Sequence, residues 1–267
     1  MIKPDNIYEI MTEKELSHFL EPLGLKAWQY HPVVGSTNDV ALEWGKAEAP
    51  DWGLVVADRQ VKGRGRNNRV WVTQPGSALA FSLVLRPTHQ EKRMMPRFTA
   101  LAALGLIHAL SEVGLQAQIK WPNDVLLNGK KTAGVLVEAD WWEDELQVLV
   151  IGMGVNVKPK AVPPVECLRY PATSVEGALG EPINRWGLLA SVLQNMMDLR
   201  SILPYPDFVD TWNEHLAFLG EVVPILFPDN SLREMEVLGV TADGRLELGD
   251  EGGEKVALSA GEIGIRK

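Results

Sequence analysis

Asn128-Gly129 lies between the apolar runs DVLL and KKTAGVLVEAD, and constrains the fold more than any other feature of the chain. Asn-Gly readily takes the two left-handed conformations of a two-residue turn, so the flanking runs are hairpin partners. Upstream, QAQIK reads as a strand that enters a tight WPND corner; downstream, ELQVLVIGMGVNV at 145–157 supplies a further strand ending in glycines. The middle of the chain is therefore a succession of strands joined by tight turns.

Two more strands flank a cationic segment. LVVAD at 54–58 is strand-like, and SALAFSLVLR at 77–86 alternates small or polar with larger apolar residues. Between them, GRGRNNRVW at 63–71 follows Arg59 and Lys62, so five of the 26 basic residues fall within eleven positions. The whole chain carries 35 acidic residues and a net charge of -9, so this cluster opposes the general field. Such a footprint is poor for long nucleic acid and suits a small phosphate or carboxylate. The strand-loop-strand context excludes a dinucleotide fingerprint, and Asn68 stands where that pattern requires Gly or Ala.

Elsewhere, Ser36-Thr37-Asn38 reads as the N-cap of a short helix. Residues 95–113 read as a buried helix, 158–173 as a long proline-rich loop, and 184–203 and 206–217 as helices. After Gly220 the chain changes to short strand-like pieces separated by turns, which predicts a small β-barrel. The expected division is 1–218 and 219–267. The single cysteine, Cys167, excludes an intramolecular disulfide and any multi-cysteine metal cage. The N-terminus has no apolar run like that of a signal peptide and no long apolar span follows, so a soluble, cytoplasmic protein is expected.

Three clusters carry candidate chemistry. Gly63 and Gly65 alternate with Arg64 and Arg66, so backbone amides can approach a ligand while two guanidiniums offer forked donors; the alternative is a solvated, charged loop. Lys131 is aimed by the hairpin, with Gly134 leaving room beside its strand, or else it faces solvent; Lys130 faces the opposite side, so at most one of the pair enters a site. Asn123 and Asp124 in the KWPND corner organise a turn or contribute a magnesium ligand. The five histidines show no paired ligand spacing, the Gly-rich phosphate loop is absent, and Cys167 lacks a histidine nearby in sequence.

Taken together, these segments resemble the biotin protein ligase family. The resemblance rests on STND at 36–39, Gln60 with GRGR at 63–66, KWPND at 120–124 and Lys131-Thr132-Ala133-Gly134. It continues through GVNV at 154–157, ATSV at 172–175 and GEIGIR at 261–266, in the family's order. It implies an α/β (α+β) fold: a mixed-sheet, class II synthetase-like catalytic domain followed by a small SH3-like barrel. It also implies that Ser36, Thr37, Asn38, Gln60, Gly63, Arg64, Gly65, Arg66, Lys131 and Gly134 hold biotin. Arg64, Arg66, Lys131 and Asn156 would bind ATP and the adenylate, with Lys131, Arg64 and Arg66 catalytic and Asp124 at a magnesium site.

The implied reaction joins biotin and ATP, with magnesium, into biotinyl-5′-AMP and passes the acyl group to a lysine of a biotin carboxyl carrier protein or domain. Many family members carry glycine at the position of Asn68; asparagine tolerates left-handed backbone, so retained loop geometry is expected. Some bacterial members begin with a winged-helix DNA-binding domain. Only 35 residues precede Ser36 here, so neither DNA binding nor repressor function is expected, and no membrane partner. A homodimer is left open. The nearest rival is a lipoate or octanoate ligase or transferase; a non-enzymatic RNA-binding protein is a rival of another class.

Overall fold

The computed structural model describes residues 4–264, with side chains from residue 12 onward. Ile265 and Arg266 of the GEIGIR segment lie outside the described residues.

The chain opens with α1 (Pro4–Leu20), whose Leu16 and Leu20 enter the core, then β1 (Trp28–Val34) and α2 (Thr37–Lys46). There follow β2 (Gly53–Gln60), β3 (Ala78–Leu85), α3 (Met95–Glu112), β4 (Ala117–Lys120), β5 (Asp124–Leu127), β6 (Lys130–Trp142) and β7 (Glu145–Asn156). These strands form one seven-stranded sheet in the order β1-β2-β3-β7-β6-β5-β4. Only the β1–β2 pairing is parallel, so the sheet is mixed. The Asn128-Gly129 turn joins β5 to β6 as the sequence requires, with φ of 50° and 70° at its two residues.

The expected helix at 95–113 is α3, buried along most of its length against the sheet and against α5 (Arg185–Arg200), which follows the short α4 (Val175–Leu179). The expected helix at 206–217 is shorter: α6 (Pro206–Glu214) stops because the chain then pairs with β4. The Ile119 N–H donates to His215 O and the Ala217 N–H donates to Ile119 O, so residues 215–217 are drawn into extended pairing.

The C-terminal strands are β8 (Val222–Leu226), β9 (Leu232–Val240), β10 (Leu246–Gly249), β11 (Lys255–Leu258) and β12 (Glu262–Ile263). They form a separate antiparallel sheet, in the order β11-β10-β9-β8-β12. These five strands are the expected small barrel, whose two outer strands do not pair among the described residues. Arg97 ties the two sheets together: only 5 % exposed, it donates to the carbonyls of Leu203, Tyr205 and Ala242. Trp121 Nε1 adds a bond to Gly244 O.

Candidate functional site

The first turn of α2 is built over the sheet rather than capped. Ser36 has the extended backbone of an N-cap, φ −147°, but its side chain accepts no capping bond. The Thr37 N–H instead donates to Gln60 Oε1 at 2.8 Å, with Thr37 Oγ1 3.1 Å from the same oxygen. Asn38 Nδ2 donates to Glu138 Oε2 at 2.6 Å and to Leu136 O at 3.3 Å, while Ser82 Oγ lies 2.6 Å from Asn38 Oδ1 and 2.7 Å from Thr37 Oγ1. Ser82 and Leu136 both register with Gly152, on β3 and β6 to either side of β7. The Asn38 amide lies against Gly152, where a Cβ would meet Oδ1 at 2.0 Å. Only glycine permits that approach.

The cationic segment folds back on itself. Trp71 N–H donates to Gly63 O at 2.9 Å and Gly65 N–H to Arg69 O at 2.7 Å. Asn67 and Asn68 both take left-handed backbone, φ 54° and 57°, so asparagine serves where the resemblance leads to glycine. Gly63 does not line the cavity; it is packed inside the loop, where a Cβ would meet the Trp71 carbonyl at 2.4 Å. Trp71 folds over Gly154, whose Cβ would lie 2.3 Å from the indole, and its buried Nε1 has no hydrogen-bond partner among the described residues.

The two arginines are not equivalent. Arg64 is held by Asp39 at 2.6 Å and Glu138 at 3.1 Å. Burial opposes its charge, but the Asp39 hydrogen bond and the charges of Glu138 and Asp39 outweigh it and raise its pKa above the usual. Arg66 has no ion pair among the described residues. Burial lowers its pKa, and the more distant Glu262 and Asp124 compensate only in part. A half-buried cation of this kind attracts an anion strongly.

Lys131 enters the cavity and Lys130 is exposed outside it. Lys131 and Gly134 share the cavity face despite a spacing that should separate them. The ladder slips between Leu126↔Lys131 and Val125↔Ala133, so Thr132 is the extra residue of a bulge and the strand changes phase. Lys131 Nζ lies 2.6 Å from Asp124 Oδ1 and 5.6 Å from the Trp71 ring centre. Lys120, buried beneath, lies 3.9 Å from Asp124 and 3.7 Å from Glu262, and burial pushes its pKa down. Asp124 is thus the counter-ion of two lysines, and it does not fit as an open metal ligand. Among the described residues no group of three His, Cys, Asp or Glu could hold a metal ion.

Two segments complete the walls. The 158–173 loop returns to pair with β6: Lys131 N–H donates to Pro171 O and Thr173 N–H to Lys131 O, both at 2.9 Å. This brings Leu168, Arg169, Tyr170 and the exposed Cys167 to the cavity, while Asn156, 4 % exposed, donates to Thr173 O. Glu262 arrives from β12 and takes both nitrogens of Arg69, at 3.0 and 2.6 Å. Burial alone would raise Glu262, but hydrogen bonding from Arg69 and the charges of Lys120, Arg69 and Arg169 hold its pKa at about 2.

The result is one cavity of about 560 Å³ with three regions. Ser36, Thr37 and Gln60 form a neutral polar end, Arg66 and Lys131 a cationic middle, and Asn156 and the 168–172 segment a far wall. Sequence reasoning assigned no role to Ser82, Glu138, Trp71, Tyr170 or Glu262. Ser82 and Glu138 had only a weak signal: one hydroxyl on an otherwise apolar strand, and one of two acids at the far end of β6.

Comparison with known proteins bears on the family and the fold. Residues 30–156 match the model of the Biotin/lipoate A/B protein ligase family. A Biotin--[acetyl-CoA-carboxylase] ligase of Paracoccus denitrificans is 32% identical over 242 residues, 84% of this chain and 95% of that protein. The Bifunctional ligase/repressor BirA of Bacillus subtilis is 42% identical over 165 residues, 61% of this chain; the match spans half that relative's length. Among solved structures, the biotin protein ligase of Aquifex aeolicus in complex with biotin and ATP superposes with a TM-score of 0.76 at 28% identity, covering 91% of this chain and 99% of that one.

Proposed function

The chain belongs to the biotin protein ligase family, and from that premise we propose that it activates biotin with ATP and transfers it to a lysine of a biotin carboxyl carrier protein or domain. The observation that carries this reading is the single cavity with its neutral polar end, cationic middle and asparagine wall. Biotin's ring system occupies the end formed by Ser36, Thr37 and Gln60, its chain crosses Gly134 and Trp71, and its carboxylate reaches Lys131 and Arg66. The adenosine lies toward Asn156 and the 168–172 segment.

In the first step a carboxylate oxygen attacks the α-phosphorus of ATP and pyrophosphate leaves. Two anions must meet, so the unpaired Arg66 guanidinium and Lys131 neutralise the charge that develops between them, and positioning supplies much of the remainder. Lys131 leaves Asp124 for the phosphate, and Asp124 keeps Lys120 as its partner. The product, biotinyl-5′-AMP, is a mixed anhydride; Trp71 and the folded cationic loop cover it against water. In the second step the acceptor amine attacks the acyl carbon and AMP departs, so Cys167 forms no covalent intermediate. Magnesium would come with ATP and would help to neutralise its phosphate charge. Among the described residues no helix is long and apolar enough to cross a membrane, and the lone cysteine suits the reducing cytoplasm in which we place the reaction.

Biotin-dependent ATP–pyrophosphate exchange, run beside lipoate, tests the proposal. Exchange with biotin and not lipoate is expected; exchange with lipoate alone would move the chain to the lipoate branch of the family.

A further inference from the structure

Beneath the polar end of the cavity, Glu138, Asn38, Ser82 and Thr37 form a continuous hydrogen-bonded chain whose direction is settled by counting hydrogens. The carboxylate of Glu138 accepts only, so the Asn38 amide must turn Nδ2 toward it, at 2.6 Å. Asn38 spends its other amide hydrogen on Leu136 O, which leaves Oδ1 facing Ser82. That oxygen cannot donate, so the one hydroxyl hydrogen of Ser82 goes to it, at 2.6 Å. Ser82 Oγ is then an acceptor toward Thr37 Oγ1, at 2.7 Å.

The Thr37 hydroxyl has two protein acceptors, Ser82 Oγ at 2.7 Å and Gln60 Oε1 at 3.1 Å. In either case its hydrogen stays inside the protein. Thr37 can then meet a ligand only as an acceptor, while Gln60, whose Oε1 takes the Thr37 N–H and whose Nε2 lies 3.5 Å from Thr73 Oγ1, keeps one amide hydrogen for the cavity. An acceptor beside a donor matches a cyclic urea, which offers an N–H next to a carbonyl. A dithiolane offers neither.

We propose that Glu138 and Ser82 are positioning residues that touch no substrate yet set the acceptor character of Thr37, and through it the selectivity for the ureido head of biotin. The location supports this. Ser82 is fully buried on β3, Glu138 lies on β6, and the Asn38 amide spans β7 between them at Gly152. Without the carboxylate the amide is held by Leu136 O alone, at the longer 3.3 Å, and the chain loses its shorter anchor. The inference rests on the biotin ligase reading and deepens it.

The experiment is biotin-dependent ATP–pyrophosphate exchange on the full chain, with analogues methylated on the ureido nitrogens as competing substrates. In Ser82→Ala the Thr37 hydroxyl loses its closer acceptor and keeps only Gln60 Oε1, at 3.1 Å. The KM for biotin should rise about 10-fold or more, the KM for ATP should stay within about twofold, and the preference for biotin over the methylated analogues should fall about 10-fold. Equal rises in both KM values, or an unchanged biotin KM and preference, would overturn the proposal. Glu138 supplies the second variant pair should Ser82→Ala fail to fold. Glu138 also holds Arg64, so its variants are read on the preference for biotin over the methylated analogues. Glu138→Leu should lower that preference, and Glu138→Gln, which restores an acceptor oxygen to Asn38, should recover most of it; indistinguishable Leu and Gln variants also overturn the proposal. No exchange in the unaltered chain defeats the ligase reading and this inference with it, whereas an active chain with insensitive variants defeats the inference alone.

Discussion

Glu262, on the last strand of the second sheet, grips Arg69 of the cationic loop through two hydrogen bonds of 3.0 and 2.6 Å. The second sheet therefore reaches into the cavity and holds the loop that lines it. Because Glu262 also faces Lys120 and Arg169, one carboxylate connects the loop, the sheet beneath it and the 158–173 segment.

Glu262 has a folded pKa of about 2 against an ordinary 4.5, so the unfolded chain takes up this proton first as the solution is acidified. Its contribution to stability is complete above about 4.5 and is lost as pH falls toward 2. Thermal denaturation of Glu262→Gln beside the unaltered chain should show a gap in Tm at neutral pH that narrows through that window. A gap independent of pH would refute the ion-pair origin.

Gly152→Ala and Gly154→Ala should each destabilise the fold by about 1–3 kcal/mol and abolish measurable biotin binding, since the new methyl overlaps Asn38 or Trp71. Gly134→Ala is the control: its Cβ would meet Lys131 and Trp71 at 3.4 Å, an ordinary contact, and should alter stability little. Chemical denaturation and biotin titration separate the two outcomes.

Lys131→Ala should lower the rate of adenylate formation by about 100-fold or more, as expected for loss of a cation at a reacting phosphate. Lys130→Ala, on the exposed side of the same hairpin, should be silent in the same pyrophosphate-exchange measurement. Matching effects at both positions would contradict the strand-face argument.

Arg66→Ala and Arg64→Ala should differ in kind. Arg66 has no ion pair to lose among the described residues, so its removal should reduce kcat/KM by about 100-fold and leave Tm nearly unchanged. Removing Arg64 strands Asp39 and Glu138, so activity and Tm should fall together. Parallel kinetics and calorimetry on the two variants provide the check.

Local signals made much of this legible. Asn128-Gly129 announced the β5–β6 hairpin through turn chemistry, and adjacency on a strand separated Lys130 from Lys131. β3 lies where alternation put it but is buried on both faces, not half-buried, because it is an inner strand of the sheet. Motif order drew Ser36, Thr37, Gln60, Arg66, Lys131 and Asn156 into one expected site, and all line one cavity. Gly63 packs inside its loop and does not line the cavity, a placement local sequence does not encode, because a loop glycine looks the same whether it faces a ligand or its own chain.

What the sequence determined by itself was the order of strands and turns and the sign of charge at each, because turn chemistry and period-two alternation act over a few neighbouring residues. Only the tertiary structure decided which charges are spent and which remain free. Arg69 meets Glu262 across 193 residues, and Asn38 meets Glu138 across 100. No local pattern encodes such pairs; they exist because the mixed sheet and the packed second sheet close those distances.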